Sequence, residues 1–260
     1  VEKGASTMRI VNDKFIFPLF FLIDTSQSMG WPADNTDSSK TSATRIDAAN
    51  QLLPAIIDIC DSKPTLQSRI RLELIPFNET AEVAIPLCKY QEFTRYKNYR
   101  FDTNWQTRYS EAFHLLYDEL KHRMDNLQRE ASLAEIQVNT PVVFFLTDGK
   151  PEGDDDERIN EWWSKISADD FEHRPNFISI GVCQEAEGKL SKYQCGNHGN
   201  YYIDSDPSRS IAMIEKFIDA VQYSISSIKS GAGTLDDAFF RDFDERMRRT
   251  GDPDDLLADL

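Results

Sequence analysis

The chain has 260 residues, of which 40% are hydrophobic, enough for one sizeable core and within the range of one or two domains. Its net charge of −15 repels nucleic-acid backbones and anionic membranes, and no Lys/Arg-rich patch offsets it. No apolar run approaches the roughly 18 residues of a membrane-spanning helix. The four cysteines, Cys60, Cys88, Cys183 and Cys195, are too few and too irregular for a disulfide framework, which points to a reduced, cytoplasmic setting.

Residues 1–13 carry no apolar signal region and read as an N-terminal extension outside the fold. Phe15 to Ile23 is apolar almost throughout, as expected of a strand buried on both faces of a parallel sheet, with Pro18 near its start or at an irregularity. Trp31 to Ser42 is polar and reads as a long loop. Ile46, Ala49, Leu53, Ile56, Ile57 and Cys60 follow helical spacing, and Pro54 predicts a kink or an early end. Ile70 to Leu74 and Val83 to Leu87 alternate around Asn78-Glu79-Thr80 and predict a hairpin.

A second helical stripe runs through Tyr109, Ala112, Phe113, Leu116 and Leu120. Val142 to Leu146 predicts another buried strand, ending at Thr147-Asp148-Gly149; Glu157 to Ile166 predicts a helix; Phe177 to Val182 predicts a strand, and Tyr201 to Ile203 an edge strand. Asp206-Pro207 is a helix-start signature, and Ile211, Ile214, Ile218, Val221, Ile225 and Ile228 form one stripe behind it. Strands alternating with helices predict a doubly wound α/β fold: a mainly parallel sheet, one antiparallel edge strand and helices on both faces. That domain takes in residues 14–230.

Residues 231–260 form an acidic C-terminal segment. Thr234 is a good N-cap, Leu235, Phe239, Phe240, Phe243 and Met247 share one helical face, and Gly251-Asp252-Pro253 is a stop. Three phenylalanines on one face cost roughly 1.5–3 kcal/mol each if left in water, so the helix is expected to dock on its own domain or in a partner's groove.

In such folds ligands bind beyond the C-terminal ends of the strands. The first strand ends at Asp24-Thr25-Ser26-Gln27-Ser28 and the later one at Thr147-Asp148-Gly149, so two aspartates reach one rim. Each motif alone is usually an ordinary turn; their joint placement after separate buried strands is what points to a site. Two carboxylates with hydroxyls suit a hard cation that takes oxygen ligands.

Asp-x-Ser-x-Ser after a buried strand is similar to the metal-ion-dependent adhesion site of von Willebrand factor type A (VWA) domains and integrin I domains. Trp-Gln-Thr-Arg-Tyr-Ser-Glu-Ala-Phe carries Thr107 where that family has its second-loop threonine, and Thr147-Asp148-Gly149 matches its third element. The resemblance implies that Ser26, Ser28 and Thr107 contact Mg²⁺ directly, with Mn²⁺ or Ca²⁺ as substitutes, while Asp24 and Asp148 act directly or through water. It also implies a partner protein that supplies an Asp or Glu carboxylate to the metal. Gln27 replaces a common Gly, and Arg108 and Tyr109 replace small residues; with Trp31 these are candidate partner-binding positions.

The first and third motifs look closest to the bacterial TerY-like branch. That resemblance implies a cytoplasmic scaffold working with a protein kinase and a metal-dependent protein phosphatase in a stress or tellurite-resistance system. An extracellular adhesion domain, favoured by a Cys183–Cys195 disulfide, and a metal-dependent phosphoester hydrolase are the alternatives. Enzyme chemistry has little support: there is no Gly-rich phosphate loop, no Gly-x-Ser-x-Gly and no His-Glu-x-x-His. Asp154-Asp155-Asp156 reads as a helix-capping loop. Cys195-x-x-His198 with Cys183 and His173 fits no standard zinc spacing.

Overall fold

A computed structural model describes residues 15–32, 43–182, 188, 190–226, 228 and 235–248. One seven-stranded sheet organises the chain, in the order β3-β2-β1-β5-β6-β7, with a two-residue strand β4 also paired to β1. The strands are β1 (Phe15–Asp24), β2 (Ile70–Phe77), β3 (Ile85–Lys89), β4 (Gln137–Val138), β5 (Val142–Thr147), β6 (Asn176–Gly181) and β7 (Asn200–Ile203). All pairings are parallel except β2 with β3, which is the predicted hairpin, with a register shift between Leu72 and Leu74. The predicted fold class is therefore the observed one.

Strand β1 is the central strand, buried on both faces, as its unbroken apolar run demands. Pro18 is tolerated because of what flanks it. On one side Ile16 is the last residue to pair with β4, and Leu19 is the first to pair with β5. The missing N–H falls in the gap between those ladders.

Helices α1 (Arg45–Ala49), α2 (Leu52–Ser62), α7 (Ser210–Ser226) and α8 (Leu235–Arg248) cover one face of the sheet; α5 (Tyr109–Leu133) and α6 (Asp156–Ser167) cover the other. Between β-strands lie two single turns, α3 (Pro64–Gln67) and α4 (Tyr90–Phe93). The helical stripe predicted from Ile46 to Cys60 breaks at Asn50–Gln51, which places Pro54 in the first turn of α2 rather than in a helix interior.

The C-terminal helix docks on its own domain. Phe239, Phe240, Phe243 and Met247 are buried in the same core as β1 and α7, and the Phe243 ring lies 5.3 Å from Phe144 and 5.7 Å from Tyr202. Asp244 accepts hydrogen bonds from Tyr202 (2.7 Å) and Asn200 (3.1 Å), fixing the helix against β7. The predicted cap Thr234 and stop at residues 251–253 lie outside the described residues. Among the described residues no helix is long and apolar enough to cross a membrane.

Candidate metal centre

Both aspartates of the rim sit at the ends of adjacent central strands, sealed from solvent. Asp24 Oδ1 accepts the Ser26 N–H at 2.8 Å, which folds the loop back on the strand end, and Oδ2 accepts the Thr147 hydroxyl at 2.6 Å. Thr25 points away, donating to Phe77 O at 3.0 Å, so alternate residues of the loop face the rim. Ser26 then opens a 3₁₀ turn, Gln27–Gly30. The Ser26 and Ser28 hydroxyls are 3.1 Å apart, and Ser28 donates to Asp148 Oδ1 at 2.8 Å. Asp24, Ser26, Ser28 and Asp148 thus form one continuous polar cluster.

Thr107 is brought in by the loop before α5. Gln27 N–H donates to Trp105 O (3.0 Å), Asn104 N–H to Thr25 O (2.9 Å), and Glu152 N–H to Thr107 O (2.8 Å). These bonds tie the Thr107 loop to both aspartate-bearing loops. Its side chain is buried. Trp105 holds φ +35°, a left-handed conformation that costs a non-glycine residue on the order of 1–3 kcal/mol. Gln27 needs no such conformation, so the loop tolerates the absence of Gly there.

Arg45 is a member of the site that no sequence signal flagged. Thr44 caps α1 with a reciprocal Asp47 box, which sets Arg45 as the first helical residue. Its guanidinium, 6% exposed, donates to Asp148 Oδ2 at 2.6 Å, to Ser28 O at 3.4 Å and to Ser210 Oγ at 3.1 Å. The only clue in the sequence is a charge inside an apolar stripe directly after a polar loop.

Burial pushes the Asp24 carboxyl up to about 7, and the neighbouring Asp148 charge adds to the rise. Asp148 is also raised by burial, against the opposing pull of Ser28 and Arg45. Two acids held this close in a dry site, with one arginine, leave an excess of negative charge that a cation relieves. The donor set fits a hard divalent ion: oxygens only, from carboxylates and hydroxyls.

The candidate partner-binding positions divide. Gln27 and Trp31 are exposed beside the rim. Arg108 is part-buried and paired with Glu79 at 3.4 Å. Tyr109 is a correction: it is fully buried, its hydroxyl donating to Gly149 O at 2.5 Å and its ring packed on Phe145 and Phe77. Its bulk fills the core beneath the site, because the first turn of α5 faces the sheet.

The acid run after β5 does cap helices. Asp155 accepts from Glu157 N–H at the start of α6, and Asp154 accepts from Ser110 N–H (2.8 Å) and Oγ (2.5 Å) at the start of α5. Cys195 is a free thiol, 3.5 Å from Pro175 O, while Cys183 lies outside the described residues. The one cluster of three His/Cys/Asp/Glu donors among the described residues is Asp125, Glu172 and His173, away from the rim, where His173 Nε2 pairs with Asp125 at 2.7 Å.

The sequence profile of the von Willebrand factor type A domain matches residues 19–150, which include all five predicted metal residues. Among solved structures, the fold is similar to a von Willebrand factor type A protein from Catenulispora acidiphila, at TM-score 0.56 and 16% identity over 80% of this chain and 43% of that one. It is also similar to the PilB minor pilin from Streptococcus sanguinis, at TM-score 0.53 and 12% identity over 82% of this chain and 62% of that one. The chain thus spans less than two thirds of either protein. The comparison with curated protein sequences returns no match.

Proposed function

The chain belongs to the von Willebrand factor type A domain family, a family of protein-interaction and adhesion modules, and from that premise we propose that it is a Mg²⁺-dependent protein-binding module. The observation that carries the reading is the rim cluster: two buried carboxylates, Asp24 accepting from the Ser26 N–H (2.8 Å) and the Thr147 hydroxyl (2.6 Å) and Asp148 from the Ser28 hydroxyl (2.8 Å), with the Ser26 and Ser28 hydroxyls 3.1 Å apart and the buried Thr107 on the third loop. Ser26, Ser28 and Thr107 would hold the ion directly, and Asp24 and Asp148 directly or through water. When bound, the ion supplies a Lewis-acidic point for an Asp or Glu carboxylate of the partner. Arg45 keeps Asp148 in place and lowers the negative charge of the rim, so the loaded site favours an anionic ligand. Mn²⁺ and Ca²⁺ suit the same oxygens.

The motif likeness to the TerY-like branch supports a bacterial cytoplasmic scaffold whose partners are a protein kinase and a metal-dependent protein phosphatase. The free, buried thiols of Cys60, Cys88 and Cys195 suit a reducing compartment. Binding rather than catalysis suits a rim whose carboxylates are already engaged, Asp148 by Arg45 and Ser28 and Asp24 by Thr147 and the Ser26 N–H.

The test is Mn²⁺ calorimetry together with pull-down from native extract in Mg²⁺ or EDTA. Wild-type protein binds one ion, Asp24→Ala and Thr107→Ala bind at least tenfold more weakly, and EDTA releases the partner. Unchanged Mn²⁺ affinity in both variants, or capture indifferent to EDTA, refutes the reading.

A further inference from the structure

Asp125, Glu172 and His173 meet well away from the rim. Asp125 lies in the second half of α5, about 24 Å along the helix from Tyr109 at 1.5 Å of rise per residue. Glu172 and His173 belong to the connection between α6 and β6. There Arg174 N–H donates to Phe171 O at 3.0 Å, closing a tight turn with Glu172 and His173 at its two central positions. Phe171 stacks on Tyr117 of α5 with ring centroids 5.2 Å apart, which holds the turn against the helix. One imidazole nitrogen and one oxygen from each carboxylate thereby lie within 4.8 Å of one another.

The histidine is the informative member. Its side chain is 3% exposed, and Nε2 pairs with Asp125 Oδ1 at 2.7 Å. Nδ1 is buried without a partner among the described residues. An orphaned nitrogen in the interior costs stability, which an apolar ring of similar size would avoid. Packing therefore does not account for an imidazole here; what Nε2 faces does. It faces two exposed acids, and the hydrogen bond from His173 holds the Asp125 carboxyl below the usual carboxylate range. One nitrogen fixed by the core thus stands beside two carboxylates free to adjust.

This donor set differs from that of the rim, which is oxygen alone. Imidazole nitrogen with carboxylate oxygens suits Zn²⁺, which takes both at about 2.0–2.2 Å and in open sites keeps three protein ligands and a water. Around a tetrahedral ion at such distances the ligand atoms stand about 3.4 Å apart. The 2.7 Å contact between Nε2 and Oδ1 has to widen and the Glu172 carboxylate to close in, both within reach of exposed side chains. An open groove of about 640 Å³ along Asp125, Gln128, Arg129, Ser132, Leu133 and Glu172 gives ion and water access.

We propose that Asp125, Glu172 and His173 form a metal site separate from the rim, for Zn²⁺ or a similar borderline transition ion such as Co²⁺. The ion takes His173 Nε2 in place of the hydrogen bond to Asp125, with the imidazole proton on Nδ1. One oxygen from each carboxylate and a water complete the shell. The loaded site ties α5 to the turn that leads into β6. Its existence does not depend on the reading of the rim.

The experiment titrates the full chain with Zn²⁺ alone in a calorimeter, as wild type and as Asp24→Ala, which removes a rim carboxylate. One Zn²⁺ should still bind to Asp24→Ala. Adding Asp125→Asn or Glu172→Gln to that background should weaken it at least tenfold each, and both side chains are exposed, so the fold survives. In nitrogen-resolved spectra of the imidazoles, the His173 ring signals should move on Zn²⁺ addition while those of His114, His122 and His198 stay in place. Zn²⁺ uptake that disappears in Asp24→Ala would assign the ion to the rim and overturn the proposal. Affinity unchanged by both Asp125→Asn and Glu172→Gln, or movement of another histidine in place of His173, would overturn it as well. None of these three results bears on Mg²⁺ at the rim, which Mn²⁺ binding to the Thr107→Ala variant tests separately.

Discussion

Arg45 Nη1 lies 2.6 Å from Asp148 Oδ2, joining residues 103 positions apart in an ion pair that solvent barely reaches. Breaking a buried pair by removing one partner leaves an uncompensated charge and typically costs about 3–5 kcal/mol. Arg45→Met should therefore lower the melting temperature in EDTA. Mg²⁺ should restore much of the loss, because the ion supplies the missing positive charge. The check is the melting-temperature gain on adding Mg²⁺, which must be larger in the variant than in the wild type; equal gains would detach Arg45 from the metal site.

Glu73 provides the pH test, remote from the rim. It is fully buried on β2, its Oε2 accepting from Leu87 N–H at 2.9 Å and its Oε1 without a partner among the described residues. Burial, then the nearby Glu119 charge, pushes its carboxyl up to about 8 from an ordinary 4.5. The folded state thus binds the proton more tightly than the unfolded chain. That stabilisation is complete below about 4.5 and is lost as pH rises through about 8. Glu73→Gln keeps the shape without the charge, so relative to wild type it should gain roughly 1–3 kcal/mol between pH 5 and pH 9. Denaturant unfolding at those two pH values decides it, and an unchanged difference between the proteins would defeat the assignment.

Phe243 anchors α8 against Phe144, Phe217 and Tyr202 and is 1% exposed. Phe243→Ala should cost about 3–5 kcal/mol, as large core truncations do. Calorimetric Mn²⁺ binding measured well below the melting point should persist, since no residue of the rim touches Phe243 directly. A variant as stable as the wild type would mean that α8 contributes no core.

Tyr109 tests the boundary between site and core. Its hydroxyl satisfies Gly149 O in a dry environment. Tyr109→Phe should therefore cost about 1–2 kcal/mol of stability while leaving partner capture in Mg²⁺ intact. Lost capture at unchanged stability would return Tyr109 to the binding surface.

Much of this architecture is written locally. The apolar run Phe15–Ile23 can be stable only with both faces covered, so it makes a central strand, and Val142–Leu146 makes its neighbour for the same reason. The hydroxyl and carboxylate motifs follow those strands at once, which puts them at one rim whatever the loops do. The stripe from Ile214 to Ile225 is likewise legible from its helical period. What periodicity cannot carry is the partner of a polar or amphipathic group, because pairing is a matter of distance between segments far apart in the chain. Arg45 reads as a solvated helix charge until packing brings Asp148 and Ser210 to it. Tyr109 reads both as the first residue of an apolar helical stripe and as a surface neighbour of Thr107, and only the packing of the first turn of α5 decides for the core. The phenylalanines of α8 demand burial by their area alone, yet only the open space over β5 and β7 beside α7 decides that they are buried at home rather than in another protein.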